Sequence, residues 1–331
     1  MAQDPDRLTF VTVVFGAETW LVELQARSLA RYLDPEAVAS IVVIDNGWRP
    51  LSRARRARLL AAYGPLADAV TILRTAELVP DLPPTTGWRS QQIAKLLIAR
   101  TVATHHYVVL DAKNHLIRAT GRDDFVGADG RAHGDTHPYT EHTLKPRLIT
   151  ALRYLGASGT VIEDSLEDFL PTATPFVMDT AVARAMVDGV ERASGLPFAR
   201  EFEVQQLTEF FLYSGWIVVR GPGIDAVYDR VPIPSPTVWP KRRNPEGVMA
   251  TIAEAELGDS AFFAVHRTTL ARGDRGTRDL IAAFWARRGL FRDEAAARRH
   301  IAAFRRAYFP EMVSKKLMER IDAIRRPGPS A

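Results

Sequence analysis

The 331-residue sequence contains no cysteine. That excludes disulfides, thiolate zinc sites and a cysteine nucleophile, and it fits a cytoplasmic protein. Long hydrophobic runs are missing too, since none approaches the roughly 20 apolar residues that span a bilayer. The opening Met1-Ala2-Gln3-Asp4-Pro5-Asp6 is acidic and leads straight into a strand, so no signal peptide is expected. Several enzyme signatures are absent as well. A dinucleotide fingerprint needs Gly-rich backbone after the first strand, to let a pyrophosphate approach. Here Val14-Phe15-Gly16-Ala17-Glu18-Thr19 offers one glycine. There is no Walker loop, no serine elbow and no His-Glu-x-x-His helix, so dehydrogenase, P-loop kinase, hydrolase and zincin readings fall away.

What is present suits a globular protein, with 47% apolar and 25% charged residues. The chain is long enough for one large domain or two ordinary ones. Its net charge of +4 is modest but unevenly spread. Arg53, Arg55, Arg56 and Arg58 share one early helix, and Arg287, Arg288, Arg298, Arg299, Arg305 and Arg306 crowd the last sixty or so residues. Such clusters either face water or attract phosphate groups, nucleic acid or an anionic membrane, and with the last of these the protein would be peripheral to the inner membrane face. No nucleic-acid motif accompanies them and no aromatics are interleaved, so nucleic acid is not an expected partner.

Strands and helices alternate at the front. Strands are predicted at Leu8–Phe15, Ile41–Ile44, Ala69–Leu73 and Tyr107–Leu110. Helices are predicted between them at Thr19–Leu33 (with Thr19 as N-cap), Leu51–Tyr63 and Trp88–Val102. This order implies a mostly parallel sheet flanked by helices. From Gly121 to His142 the chain is polar and without period, a loop long enough to suggest function. Further helices are predicted at Leu144–Leu155, Thr180–Ala193 and Phe202–Tyr213, and strands at Thr174–Met178, Ile217–Arg220 and Ala261–His266. Val231–Pro240 should be extended, helices should follow at Thr277–Arg288, Asp293–Phe304 and Glu311–Ile324, and Arg326–Ala331 has a disordered composition.

The most informative stretch is Tyr107-Val108-Val109-Leu110-Asp111-Ala112-Lys113-Asn114. A buried strand ends abruptly in an acid, a cation and an amide, at the end of the sheet where α/β proteins hold ligands. Such a trio suits the grip on a diphosphate, directly or through a divalent ion. The alternative is an ordinary solvated strand end.

The succession of a second strand ending in Val43-Ile44-Asp45-Asn46-Gly47 and a later Leu110-Asp111-x-Lys113-Asn114 resembles the GT-A glycosyltransferase fold (an α/β, Rossmann-like sheet). More narrowly, the chain resembles a bacterial glycosyltransferase-like family known only as a domain of unknown function. The matching segments are Trp88-Arg89-x-Gln91-Gln92-x-x-Lys95-Leu96, Asp111–Asn114, His137-Pro138-Tyr139, Thr174-Pro175-Phe176-Val177, Thr208-Glu209-Phe210-x-Leu212-Tyr213 and Val265-His266-Arg267. They imply a catalytic domain over residues 8–270, with 271–326 as a helical C-terminal extension.

The resemblance implies transfer of a sugar from a nucleotide-sugar donor to a glycan, a lipid-linked or another hydroxyl acceptor. Asp45, Asn46, Gln92, Lys95, Asp111, Asn114 and His137 become donor-binding candidates. Lys113 stands where the second Asp of an Asp-x-Asp metal motif would be. A Mn2+ or Mg2+ ion would then rest on Asp111 and His266, with an amide oxygen from Asn114. Alternatively, Lys113 neutralises the leaving diphosphate without a metal. Glu209 lies beside aromatic residues that would raise its pKa and suit it to general-base work. Trp88 reads as packing, Tyr139 as a possible ligand contact, and Glu163, Asp164, Glu167 and Asp168 as a solvated acidic cluster. The same fold without transferase activity, binding a nucleotide or sugar, is the alternative function; docking of anionic partners through the basic helices is another.

Overall fold

The computed structural model describes residues 4–325, with side chains as far as residue 313 except at 311. Its centre is β1 (Leu8–Val14), buried at all seven positions, as a parallel strand with two covered faces must be. After β1, Gly16 adopts a left-handed φ of +47°, open to glycine at no steric cost, and the chain turns into α1 (Thr19–Tyr32). Thr19 is the first helical residue rather than the cap, and its hydroxyl donates to the Gly16 carbonyl at 3.0 Å. Next come β2 (Val38–Asp45), α2 (Arg53–Ala62), β3 (Val70–Arg74), α3 (Thr75–Leu78), α4 (Gly87–Leu97), β4 (His106–Asp111) and β5 (Asn114–Leu116). The middle of the chain holds α5 (Lys145–Tyr154), α6 (Gly159–Glu167), β6 (Phe176–Asp179), α7 (Thr180–Ser194), α8 (Phe198–Val204), α9 (Glu209–Val219) and α10 (Ile224–Val227). It closes with β7 (Thr237–Val238), α11 (Pro245–Leu257), β8 (Phe262–Val265), α12 (Arg267–Arg272), α13 (Arg275–Arg287) and α14 (Glu294–Arg325).

The main sheet has the order β3-β2-β1-β4-β6. Its first four strands run parallel, and β6 joins the edge antiparallel to β4. A small second sheet, β5-β8-β7, lies beyond the end of β4. The fold is therefore α/β with a mostly parallel sheet. Strand order reverses at β1, which has β2 on one side and β4 on the other. A crevice opens at such a switch point, outside the carboxyl ends of the strands. Across the ladder, Val14 faces Asp45 and Val13 faces Asp111, which puts both acids at that end.

Three predicted elements differ. Phe202–Tyr213 is not one helix but α8 and α9, parted at Gln206, whose φ is +52°. Ile217–Arg220 is not a strand: Ile217, Val218 and Val219 finish α9, because their β preference yields to packing. The last two helices are one, since α14 runs through Pro310, which costs it one backbone hydrogen bond. The segment Arg326–Ala331 and the outer limit of the extension at 326 lie outside the described residues. α13 and α14 pack on the sheet domain directly. Trp285 is fully buried and donates to His115 Nε2 at 3.0 Å, and the Tyr32 hydroxyl donates to the Arg288 carbonyl at 2.5 Å.

Candidate active site

Asp111 ends β4 with both carboxylate oxygens engaged. Oδ1 is 3.0 Å from Lys95 Nζ, and Oδ2 accepts from Lys113 Nζ. Burial opposes the Asp111 charge, but Lys113 and Lys95 outweigh it and hold the carboxyl well below the usual range. Lys95 arrives from α4, one turn after Gln92, and its head also lies 3.4 Å from Glu209 Oε1. Burial disfavours the Lys95 ammonium, yet Asp111 and Glu209 more than compensate, so its pKa is raised. Glu209 opens α9 and is buried, as are Phe210 and Phe211 after it. Its carboxyl is raised by burial, with Lys95 offsetting part of the effect. Charges thus alternate along Glu209, Lys95, Asp111 and Lys113.

This row borders two cavities. One, of about 390 Å³, lies at the switch point, and Gln92, Lys95, Asp111, Lys113, Glu209 and His266 all line it. The other, of about 620 Å³, opens between the 133–142 loop, the approach to β6 and the 232–239 segment. The two share Asp111, Lys113, Leu144, Thr172 and Trp239. Lys113 Nζ sits 5.7 Å from the half-exposed Trp239 ring, at this junction.

The remaining candidates are placed differently. His137 lines the larger cavity, its ring tilted 31° against that of Tyr139 with centroids 4.3 Å apart. Tyr139 itself is fully buried and donates to the Leu170 carbonyl, so it is core rather than a ligand contact. Asn114 is also fully buried: its Oδ1 accepts from the Asp111 N–H and the Thr174 hydroxyl, and its amide donates to Thr174 O and Ser235 Oγ. Asp45 and Asn46 line neither cavity. Asp45 accepts from the Gly47 and Leu51 N–H groups, the Asx-type turn that its Asp-Asn-Gly sequence favours. Asn46 accepts from Thr75 and Ser90 and donates to the Gly87 carbonyl, tying the β2 end to α3 and α4. Glu163, Asp164 and Glu167 face water, whereas Asp168, also exposed, pairs with Arg230 at 2.8 Å and accepts from the Thr136 hydroxyl.

Trp88 is exposed at the mouth of the smaller cavity, not packed inside, and the Arg147 guanidinium lies 5.1 Å over its ring. Arg147 and Trp239 are among the cavity residues that sequence reasoning missed. Neither has a local signal beyond a tryptophan set among prolines at Val238-Trp239-Pro240. Arg267 joins them and pairs with Glu18 at 2.5 Å.

The residues do not fit the divalent ion that the resemblance implies. Such ions take six or more oxygens, carboxylates among them. Among the described residues no three His, Cys, Asp or Glu side chains converge on one point. Both Asp111 oxygens face ammonium groups, and the Asn114 oxygen is spent on Asp111 N–H and Thr174. His266 uses Nδ1 to accept the Thr268 N–H, capping α12, so that nitrogen is not open to an ion.

Residues 21–236 match the model for a family of unknown function, DUF6492, and the chain belongs to that family. No curated protein matches it. Similar solved structures are glycosyltransferases. The galactosyltransferase LgtC, in complex with donor and acceptor sugar analogs, is 13% identical with a TM-score of 0.47 over 86% of this chain and 100% of that one. The bifunctional WbbM, in apo form, is 12% identical with a TM-score of 0.44; the alignment covers 78% of this chain but 45% of WbbM. Glucosyl-3-phosphoglycerate synthase from Mycobacterium tuberculosis, in complex with Mn2+, UDP and glucosyl-3-phosphoglycerate, is 14% identical with a TM-score of 0.32 over 53% of this chain and 57% of that one.

Proposed function

We propose that this member of the DUF6492 family transfers a sugar from a nucleoside-diphosphate donor to an acceptor hydroxyl. The observation that carries this reading is the row Glu209–Lys95–Asp111–Lys113 along two joined cavities at the switch point. The donor belongs in the smaller cavity; the acceptor enters through the larger and projects its hydroxyl past the shared wall at Asp111 and Lys113 into the smaller, where Glu209 lies. As the bond from the anomeric carbon to the diphosphate breaks, negative charge grows on the leaving oxygen. Lys113 is the cation for it, and Arg147 adds a second positive group at the mouth. Preset charges of this kind lower a barrier because nothing need reorganise as the reaction proceeds. Glu209 takes the proton of the attacking acceptor hydroxyl; its raised pKa makes it a stronger base than an ordinary carboxylate. Lys95 stays charged throughout and keeps Asp111 and Glu209 from repelling one another. Gln92 holds the first turn of α9 in place.

The test is thermal stability against a panel of nucleoside diphosphates and nucleotide sugars, with and without EDTA, followed by release of the diphosphate from the stabilising donor. A ligand at about 100 times its dissociation constant adds roughly 2.7 kcal/mol. Stabilisation by one nucleotide class, with donor turnover that EDTA leaves intact, is the expected result. No stabilisation by any nucleotide would refute the reading. Stabilisation without turnover would leave a binding protein of the same fold.

A further inference from the structure

A second depression, of about 730 Å³, lies on the other side of α1 from the cleft, between α1, α2 and the start of α14. Trp20, Glu23 and Arg27 face it from α1, spaced so that they share one side of the helix. Arg58 reaches it from α2, and Arg292, Arg299 and Arg306 from the other rim. A smaller cavity shares Trp20, Glu23 and Arg58 with it and adds Arg55. Six guanidiniums therefore surround one surface, against Glu23 and Asp293.

Two of the six are held in fixed poses. Buried Glu23 pairs with Arg27 at 3.0 Å and with Arg58 at 2.5 Å. Arg58 lies 3.6 Å over the Trp20 ring and Arg27 5.4 Å over Phe291. One carboxylate and two rings thus set the guanidinium planes, so little side-chain freedom remains to be lost when a ligand binds. The others carry the excess charge. Arg292 pairs with Asp293 at 3.0 Å and Arg299 acts on the same carboxylate from further off, whereas Arg55 and Arg306 have no ion-pair partner among the described residues. Like charges gathered without partners raise the local potential, and a multiply charged anion relieves it. Guanidinium groups match phosphate oxygens two at a time, which favours phosphate over a single carboxylate.

We propose that this depression is a second binding site, for a phosphate group carried on a free phosphorylated molecule or on a phospholipid headgroup. It is independent of the transfer reaction, because none of its residues lines the cleft. The test uses the full chain, with pyrophosphate titrated by calorimetry and flotation with phosphatidylcholine vesicles with and without phosphatidylglycerol. Arg299→Glu/Arg306→Glu removes two exposed charges from α14, and Arg55→Glu removes one from α2. Lys113→Ala silences phosphate binding in the cleft, and Arg243→Glu is an exposed control away from the depression.

With Lys113→Ala as the background in every protein compared, binding should persist in the background itself and in Arg243→Glu, weaken at least about tenfold in the double variant, and fall in Arg55→Glu. It should also drop steeply between about 50 and 200 mM salt, as exposed charges are screened. Pyrophosphate binding without vesicle flotation identifies a free ligand. Flotation that needs phosphatidylglycerol and is competed by pyrophosphate identifies a headgroup. The proposal is overturned if neither probe binds, if the folded double variant binds as tightly as the Lys113→Ala background, or if a single-stranded oligonucleotide alone is retained.

Discussion

The side-chain oxygen of Gln92 accepts the backbone N–H of Glu209 at 3.3 Å, across 117 positions of sequence. One turn later on the same helix, Lys95 meets the Glu209 carboxylate. α4 therefore holds the first turn of α9 by its backbone and by its charge, and fixes where Glu209 points.

Replacing Glu209 by Gln keeps the shape and removes the base. Transfer should fall about 10²- to 10⁴-fold while donor-induced thermal stabilisation stays as in the wild type. The wild-type rate should rise with pH through a carboxyl pKa above the ordinary one, and the variant should lose that limb. A variant that turns over at the wild-type rate would remove Glu209 from the reaction.

Lys95→Met leaves Asp111 and Glu209 facing each other without the cation between them. Removing one partner of a buried ion pair costs about 3 to 5 kcal/mol, which urea unfolding would read. Adding Glu209→Gln to Lys95→Met should restore part of the loss, because one of the two stranded charges is gone. Simple loss of packing would show no such recovery.

Lys113→Met should weaken nucleoside-diphosphate binding about tenfold or more, in line with a lost charge-assisted contact. Neither protein should respond to EDTA. If added Mn2+ restored binding to Lys113→Met, or EDTA abolished binding by the wild type, the direct lysine–diphosphate contact would be wrong.

Acid should destabilise the protein in two windows. His115 is buried, donates Nδ1–H to the Lys113 carbonyl and accepts from Trp285 at Nε2, and burial lowers its pKa to about 4. A free histidine titrates near 6.5, so the unfolded chain binds an extra proton between about pH 6.5 and 4 and stability falls as pH drops through that range. His115→Gln should flatten the slope, by up to roughly 3 kcal/mol across the window. Asp111 acts lower down. Its folded pKa is depressed, so its contribution is present above the unfolded value near 3.9 and is lost as pH falls below it. Urea midpoints measured from pH 7 to 3 would separate the two.

The parallel strands could be read from sequence because strands covered on both faces are continuous apolar runs, and β1, β2 and β4 are such runs. Among the helices that went unread, α6 and α11 had their caps present in the sequence. Ser158 accepts from Val161 at the start of α6, and Asn244 from Gly247 at the start of α11, just before Pro245. The division between α8 and α9 had no comparable signal, since nothing in Gln205-Gln206-Leu207-Thr208 demands a left-handed residue.

At the site, the motifs and the resemblance they carry named ten candidates, of which Asp45, Asn46, Asn114 and His137 do not line the smaller cavity and Gln92, Lys95, Asp111, Lys113, Glu209 and His266 do. Their chemistry by type was legible: two acids, two ammonium groups, an amide and an imidazole. Which acid faces which cation was not. Tertiary packing decided that Lys95 lies between Asp111 and Glu209, that Asn114 is spent inside the fold, and that Arg147 and Trp239 reach the cavities from distant segments. Residue type sets what a side chain can do, and local periodicity sets the helix or strand that carries it. Charge pairing and burial depend on distances between segments far apart in sequence, which only the folded chain defines.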